Sequence, residues 1–394
     1  MSAKTEYASN RLVPLEAYRG IAAFIVLVHH FFLAFSPYTT GLLEQARNQD
    51  SLIGQPFFAL FNGTGAVGFF FTLSGFVLCW SYFKHENSQK LLLAFLKRFP
   101  RLVAIATITT IASYCLFELN LYSFREASEH SLSPWLAAFA YGLTPDFEPS
   151  FLSALIQGMT TFFTGEANYN TNLWTMKAEF FGSMIVYMLA CFISAILGYR
   201  HLIYALTIIS ISALFYNDLI FPFVVGAFLS AHLAKNKFEI SFLASIALII
   251  LGLYLLGYMI PEKAYTWFSV IPGPFKVHAQ TLFHTIGSAC IIFATMTNKK
   301  LFQGLNGKFL RGIGKISFPL YLVHTLVICS LSSYIFLKLA NHGLSIQTNL
   351  ILVFIVTAAF SITLAIPLSK FDDWWVKQVD STARRLLSKT PVMA

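Results

Sequence analysis

Six side chains in this sequence can move a proton or hold a phosphate and yet stand in or beside long apolar runs: Arg19, His30, Arg98, Arg101, Glu179 and His324. A neutral imidazole such as His30 can take the proton of a hydroxyl and return it to a leaving group. Guanidinium groups such as Arg98 and Arg101 suit phosphate. In Leu15 to Phe32, LEAYRGIAAFIVLVHHFF, Arg19 and His30 are eleven residues apart. On an α-helix that is close to three turns, so they share a face about 16 Å apart along the axis. Glu16 joins that stripe, and His29 is expected to point elsewhere. Charged and imidazole groups in an apolar helix cost at least a few kcal/mol unless paired or wetted, so this face is not lipid-facing. Arg98 and Arg101 stand one turn apart around Pro100, a spacing that suits a phosphate fork and equally a plain topology signal. Glu179 follows the interfacial Trp174 by five residues and shares a face with Gly182 and Ser183, where two helices can approach closely. A structural ion pair would also account for it. Ser74-Gly75 reads first as small-residue packing. Ser317, Tyr321 and His324 fall at i, i+4 and i+7, a polar stripe whose simplest use, for the first two, is hydrogen bonding between helices.

The elements that must position these groups are membrane spans. The chain of 394 residues is 56% hydrophobic and 11% charged, with 41 phenylalanines and a mean hydropathy of +0.65. That composition excludes an ordinary soluble domain and predicts an all-α polytopic membrane protein of about ten transmembrane helices. The predicted spans are 14–35, 55–83, 101–119, 173–197, 201–216, 219–233, 240–260, 281–297, 316–339 and 348–368. Alternating sides from a cytoplasmic N-terminus gathers most of the 27 basic residues on one face, among them Lys4, Arg11, Lys97, Arg98, Arg101, Arg200, Lys235, Lys299 and Lys377. Both termini are then cytoplasmic by the positive-inside rule. The net charge of +9 is therefore read as topology and not as nucleic-acid affinity. Residues 1–370 form the transmembrane domain. Within it, 120–172 is an extracytoplasmic segment whose apolar runs 134–143 and 151–163 are too short to cross and form short helices. Residues 371–394, with Trp374 and Trp375 among Lys and Arg, read as a basic amphipathic cytoplasmic tail. The first apolar run reads as a retained span. The five cysteines lie inside apolar runs without ligand spacing and read as small core residues, so neither a metal nor a disulfide framework is implied. Asn62-Gly63-Thr64 has the form of a glycosylation sequon.

In chain order, Leu15-Glu16-x-x-Arg19-Gly20-Ile21-Ala22-Ala23 ending in His30, Phe70-x-x-x-Ser74-Gly75-Phe76, the Arg98 to Arg101 cluster, Leu173-Trp174-Thr175-x-x-x-Glu179, and Ser317-x-Pro319-x-Tyr321-Leu322-x-His324 resemble the acyltransferase 3 family of integral-membrane O-acyltransferases. The resemblance runs from residue 11 to about 370. It implies a ten-span enzyme of the cell (inner) membrane that moves an acyl group, usually acetyl, from cytoplasmic acyl-CoA to a hydroxyl of a glycan, lipid-linked sugar or small molecule, with carbohydrate the favoured acceptor. It implies no bound cofactor. Carried onto this chain, His30 and Glu179 are catalytic, and Arg19, Arg98 and Arg101 bind acyl-CoA. Glu16, Ser74, Trp174, Tyr321 and His324 support them. Tyr18 stands where Leu is usual, Glu16 where Asp is commoner, and Lys177 where a smaller or apolar residue is often found. The rival from another class is a proton-coupled transporter with Arg19, His30 and Glu179 as a relay. The sequence shows no internal repeat, which disfavours it.

Overall fold

A computed structural model describes residues 12–140 and 146–389, apart from the side chains of 192–200, 202 and 387–389. The expected positions Lys4 and Arg11, the run 141–143 and the end of the tail after 389 lie outside the described residues, as does the Arg200 side chain. Among the described residues the chain is helical, with no strand. The principal helices are α1 (Val13–Phe35), α2 (Gly63–His85), α3 (Ser88–Glu118), α4 (Phe124–Ser131), α5 (Phe151–Thr164), α6 (Trp174–Tyr216), α7 (Phe221–Lys235), α8 (Phe242–Leu256), α9 (Ala279–Thr297), α10 (Lys308–Val327), α11 (Ser333–Asn341) and α12 (Ile346–Lys389). A π-helical turn, Ile328–Ser332, joins α10 to α11. Among the described residues, five stretches are long and apolar enough to cross a bilayer: α1, α2, α9, the run Lys308–Asn341, and Ile346–Leu386. Helices α7 and α8, expected as spans, have 15 residues each and fall short of the ~20 that a bilayer asks for.

Local chemistry sets the ends of these helices. Pro37 stops α1, because a proline ring disfavours helical backbone in the residue before it. The Asn62 side chain caps α2 by accepting from the Gly65 N–H at 3.1 Å, while its Nδ2 donates to Leu256 O at 2.7 Å. Asn62 is fully buried, so the sequon holds the fold together and offers no glycan acceptor. Ser150 and Ser153 form a reciprocal capping box at the start of α5, and Gly165 ends it at φ 81°.

Three expected interruptions are absent. Helix α3 begins at Ser88 and carries Pro100 inside it, and α12 runs through Pro367 as one 44-residue helix. Helix α6 is a single 43-residue helix where a reversal was expected at 198–200. One interior glycine, Gly198, costs a helix only about 1 kcal/mol, too little to break it without a proline or a turn motif beside it.

The chain divides into two compact units. The first comprises the chain up to Ala22, Gly54–Leu96 and Glu179–Lys315; the second comprises Ala23–Ile53, Lys97–Ala178 and the chain from Ile316 on. In the first unit, helices meet through glycines. A side chain at Gly75 would collide with the Phe223 carbonyl, and one at Gly226 with the Thr72 carbonyl, so α2 and α7 touch backbone to backbone. Gly252 of α8 and Gly287 of α9 face each other's carbonyls in the same way. Such close approach is how apolar helices associate when hydrophobic burial cannot separate them from lipid. At the helix ends, Lys235 pairs with Glu86, and Lys299 with Glu239 at 2.7 Å. Each lysine, by its hydrogen bond and then its charge, holds its partner carboxyl below the usual range. The second unit has an aromatic core of Phe31, Phe35, Phe124, Phe139 and Phe336 with Leu326 and Ile328. Cys79 and Cys329 are buried, whereas Cys115 and Cys191 lie on exposed faces and so are not core residues.

Candidate functional site

The expected site residues fall into three clusters, one in the first unit and two in the second. In the first unit Ser74 is buried, and its hydroxyl donates to Glu179 Oε1 at 2.8 Å while accepting from Arg19 Nη2 at 3.2 Å. A serine read from sequence as a packing residue thus bridges a guanidinium and a carboxylate. Its neighbour Gly75 supplies the close helix contact that the small-residue reading expected. Gly182, one turn from Glu179, lies against the Phe223 ring, and the Ser183 hydroxyl donates to the Glu179 carbonyl. Arg19 and Glu16 belong to the first turns of α1, where Gly20 packs on Ile313 and Gly314 packs on the Glu16 backbone. Tyr18 uses its hydroxyl: it bonds Thr295 Oγ1 at 2.8 Å and sets its ring edge-on to Phe69.

The second cluster is built on the other end of α1. His30 Nδ1 lies 2.8 Å from His324 Nε2, and His324 Nδ1 lies 2.9 Å from the carbonyl of Leu320, one turn back on α10. His324 is completely buried and His30 partly so. The indole of Trp135 stacks on His30, with ring centroids 4.9 Å apart and planes inclined by 16°. His29, expected on another face, keeps its ring edge-on to His30 at 5.3 Å. Ser133 explains the position of Trp135. Its hydroxyl accepts from Leu136 N at 3.0 Å, capping the short helix Pro134–Ala137, and donates to Leu33 O of α1 at 2.5 Å. One serine therefore fastens the tryptophan to the helix that carries His30.

Around His324, α10 is gripped by a segment that sequence reading passed over. Asn170 Nδ2 donates to Leu322 O at 2.7 Å, and Asn172 Nδ2 donates to Tyr321 O at 2.5 Å. Thr325 Oγ1 donates to Asn170 Oδ1 at 3.1 Å, and Thr175 Oγ1 lies 3.0 Å from the Tyr321 hydroxyl. Both asparagines are buried. The signal was visible as Asn-Tyr-Asn-Thr-Asn immediately before the Leu-Trp motif, since buried amides need partners. Trp135 gave no such signal, because its partner is distant in the chain. A π-turn begins four residues after His324, a feature often found beside functional positions.

The basic cluster lies in the second unit. Arg98 is buried and Arg101 exposed. Lys97 pairs with Asp380, the Trp375 indole donates to Pro100 O at 2.6 Å, and Asp372 feels the charge of Arg101. Trp174 opens α6 and is 45% exposed. Among the described residues, no three His, Cys, Asp or Glu side chains are placed to share a metal ion.

Paired imidazoles oriented by a carbonyl can accept and return a proton, and buried arginines can hold an anion. Comparison with known families matches an acyltransferase domain, that of the acyltransferase 3 type, over residues 14–370. No curated protein and no solved structure matches the chain.

Proposed function

Because the chain belongs to the acyltransferase 3 family, we propose that this membrane acyltransferase moves an acetyl or related acyl group from cytoplasmic acyl-CoA to a hydroxyl, with His30 as general base. The observation that carries the reading is the His30–His324 pair: a histidine in an apolar helix with one ring nitrogen held and the other left to exchange a proton. His30 takes the proton of the acceptor hydroxyl as its oxygen attacks the thioester carbonyl. The C–S bond breaks, and the departing CoA thiolate recovers the proton from the imidazolium. Direct transfer needs one base and no acyl-enzyme.

Arg98 and Arg101, about three turns into α3, bind the phosphates of CoA on the cytoplasmic side. Arg98 is buried, which a plain topology signal does not require, and this favours the phosphate use. Arg19 and Glu179, joined through Ser74, act together, with Glu179 keeping the guanidinium in place for the donor's arm. The acceptor enters from the aromatic-rich segment 120–172, and Trp135 beside His30 suits a carbohydrate. The enzyme needs no bound cofactor or metal and works in the cell (inner) membrane; ten crossings with both termini cytoplasmic require α6 to reverse near its middle.

The test uses purified protein in sealed vesicles, with the cytoplasmic face outward and labelled acetyl-CoA outside. Wild type should release CoA and place label on a membrane or lumenal acceptor. His30→Ala should reduce transfer by on the order of 10²-fold or more, the usual size of a lost general base, while inserting and eluting like wild type. Substantial transfer by the variant would remove His30 from the role. If CoA is neither bound nor consumed and longer acyl-CoAs fare no better, the donor assignment fails and the transporter class returns.

A further inference from the structure

We infer that His324 is a positioning residue that fixes the tautomer of His30, leaving Nε2 of His30 as the nitrogen that takes the acceptor's proton. The inference rests on the reading of His30 as base and follows from counting hydrogens along three atoms. A carbonyl oxygen can only accept. His324 Nδ1, 2.9 Å from Leu320 O, therefore carries a hydrogen. A neutral imidazole has only one, so His324 Nε2 presents a lone pair. The atom 2.8 Å from that lone pair is His30 Nδ1, which must donate. His30 then carries its hydrogen on Nδ1 and its lone pair on Nε2. A backbone carbonyl of α10 thus sets the proton of a side chain on α1, nine helices earlier in the chain, with a buried histidine as the link.

The surroundings hold this link in register. The bond from His324 Nδ1 runs along α10 to its own preceding turn, and Asn170 and Asn172 fix the carbonyls of Leu322 and Tyr321, two and three residues before that histidine. The stacked indole of Trp135 limits rotation of the His30 ring. During the reaction His30 becomes an imidazolium on gaining a proton at Nε2. Its Nδ1–H to His324 then becomes a charge-assisted hydrogen bond, so His324 also stabilises the charge as it forms. This is the service that a buried carboxylate gives the histidine of a hydrolase triad, performed by a neutral acceptor.

The experiment compares His324→Gln with His324→Met in the same sealed vesicles, measuring kcat and KM for acetyl-CoA. The two replacements have nearly the same shape, but glutamine offers His30 Nδ1 an amide oxygen and methionine only a weakly accepting thioether. We expect His324→Gln to keep kcat within about tenfold of wild type and His324→Met to lose on the order of 10²- to 10⁴-fold, with KM for acetyl-CoA unchanged in both. Equal kcat values for the two variants would overturn the inference. Should the methionine variant not fold, ¹⁵N-histidine NMR of the wild type in lipid decides, with His30 assigned by difference from His30→Ala. A hydrogen on Nδ1 is the expected result, and a hydrogen on Nε2 overturns it. Failure of the underlying reading looks different: His30→Ala would retain transfer whatever tautomer is observed.

Discussion

A single hydroxyl decides how the first cluster is held. Ser74 Oγ serves a carboxylate with its hydrogen and a guanidinium with its lone pair, at 2.8 and 3.2 Å. Both partners are charged and partly buried, so each bond is worth more than a neutral one, about 1.5–3 kcal/mol. In Ser74→Ala the methyl group fits the same space but serves neither partner. Its thermal unfolding midpoint in detergent should fall by several degrees, consistent with a loss of roughly 2–4 kcal/mol. An unchanged midpoint would show that the two charged groups find equal partners elsewhere. Sequence alone gave the opposite emphasis, because Ser74-Gly75 has the look of a packing pair and Gly75 is indeed one. The same limit applied to His324. A polar stripe at i, i+4 and i+7 announces that something faces it, but which imidazole it meets depends on where a helix some 290 residues earlier is docked. His30 and Glu179 were legible as residues that needed a reason to be in apolar helices. Their partners, His324 for one and Ser74 for the other, were not.

At the scale of elements, the C-terminal half of α12 bears on the basic cluster. Trp375 donates to the carbonyl of Pro100, the residue between Arg98 and Arg101 in the chain, and Asp380 pairs with Lys97 and, at 2.7 Å, with Arg384. A segment expected as a separate tail is thereby joined to the stretch of α3 proposed to hold the donor. Trp375→Phe keeps the ring and removes the indole hydrogen. A part-buried hydrogen bond of about 0.5–1.5 kcal/mol is lost, so KM for acetyl-CoA should rise by roughly twofold to tenfold with kcat unchanged. A fall in kcat at constant KM would place α12 outside donor binding. The continuity of α12 itself was hidden from sequence. Pro367 reads as a stop, yet a proline can sit inside a helix when lipid or neighbouring helices leave no better partner for the backbone. The start of α2 was hidden too: the second span was expected from residue 55, and Asn62 caps the helix at Gly63 instead.

At the scale of the molecule, charge alternation makes claims about which loops share a side, and contacts within each unit bear on them. Glu86 meets Lys235, and Glu239 meets Lys299, all assigned to the cytoplasmic face. Asp218 meets His278 at 2.6 Å, both assigned to the opposite face. Lys97 of α3 meets Asp380 of α12, both assigned to the cytoplasmic face. Loops in contact lie on one side, so these four pairs accord with the alternation without naming the side. Helix α6 is the exception. As an unbroken helix of 43 residues it is about 65 Å long, twice the ~30 Å hydrocarbon thickness, and it provides no evident reversal between the expected fourth and fifth spans. Single cysteines placed in a cysteine-free background and probed with a membrane-impermeant thiol reagent resolve the matter. Lys237→Cys, Lys300→Cys and Lys377→Cys should react only from the cytoplasmic face, and Glu129→Cys and Lys276→Cys only from the other. His201→Cys carries the weight. Reaction from the cytoplasmic face means that α6 reaches that side near its middle and returns, as ten crossings require. Reaction from the opposite face, or burial from both, removes one crossing and separates the two termini, because positive charge orients a chain only where the chain turns.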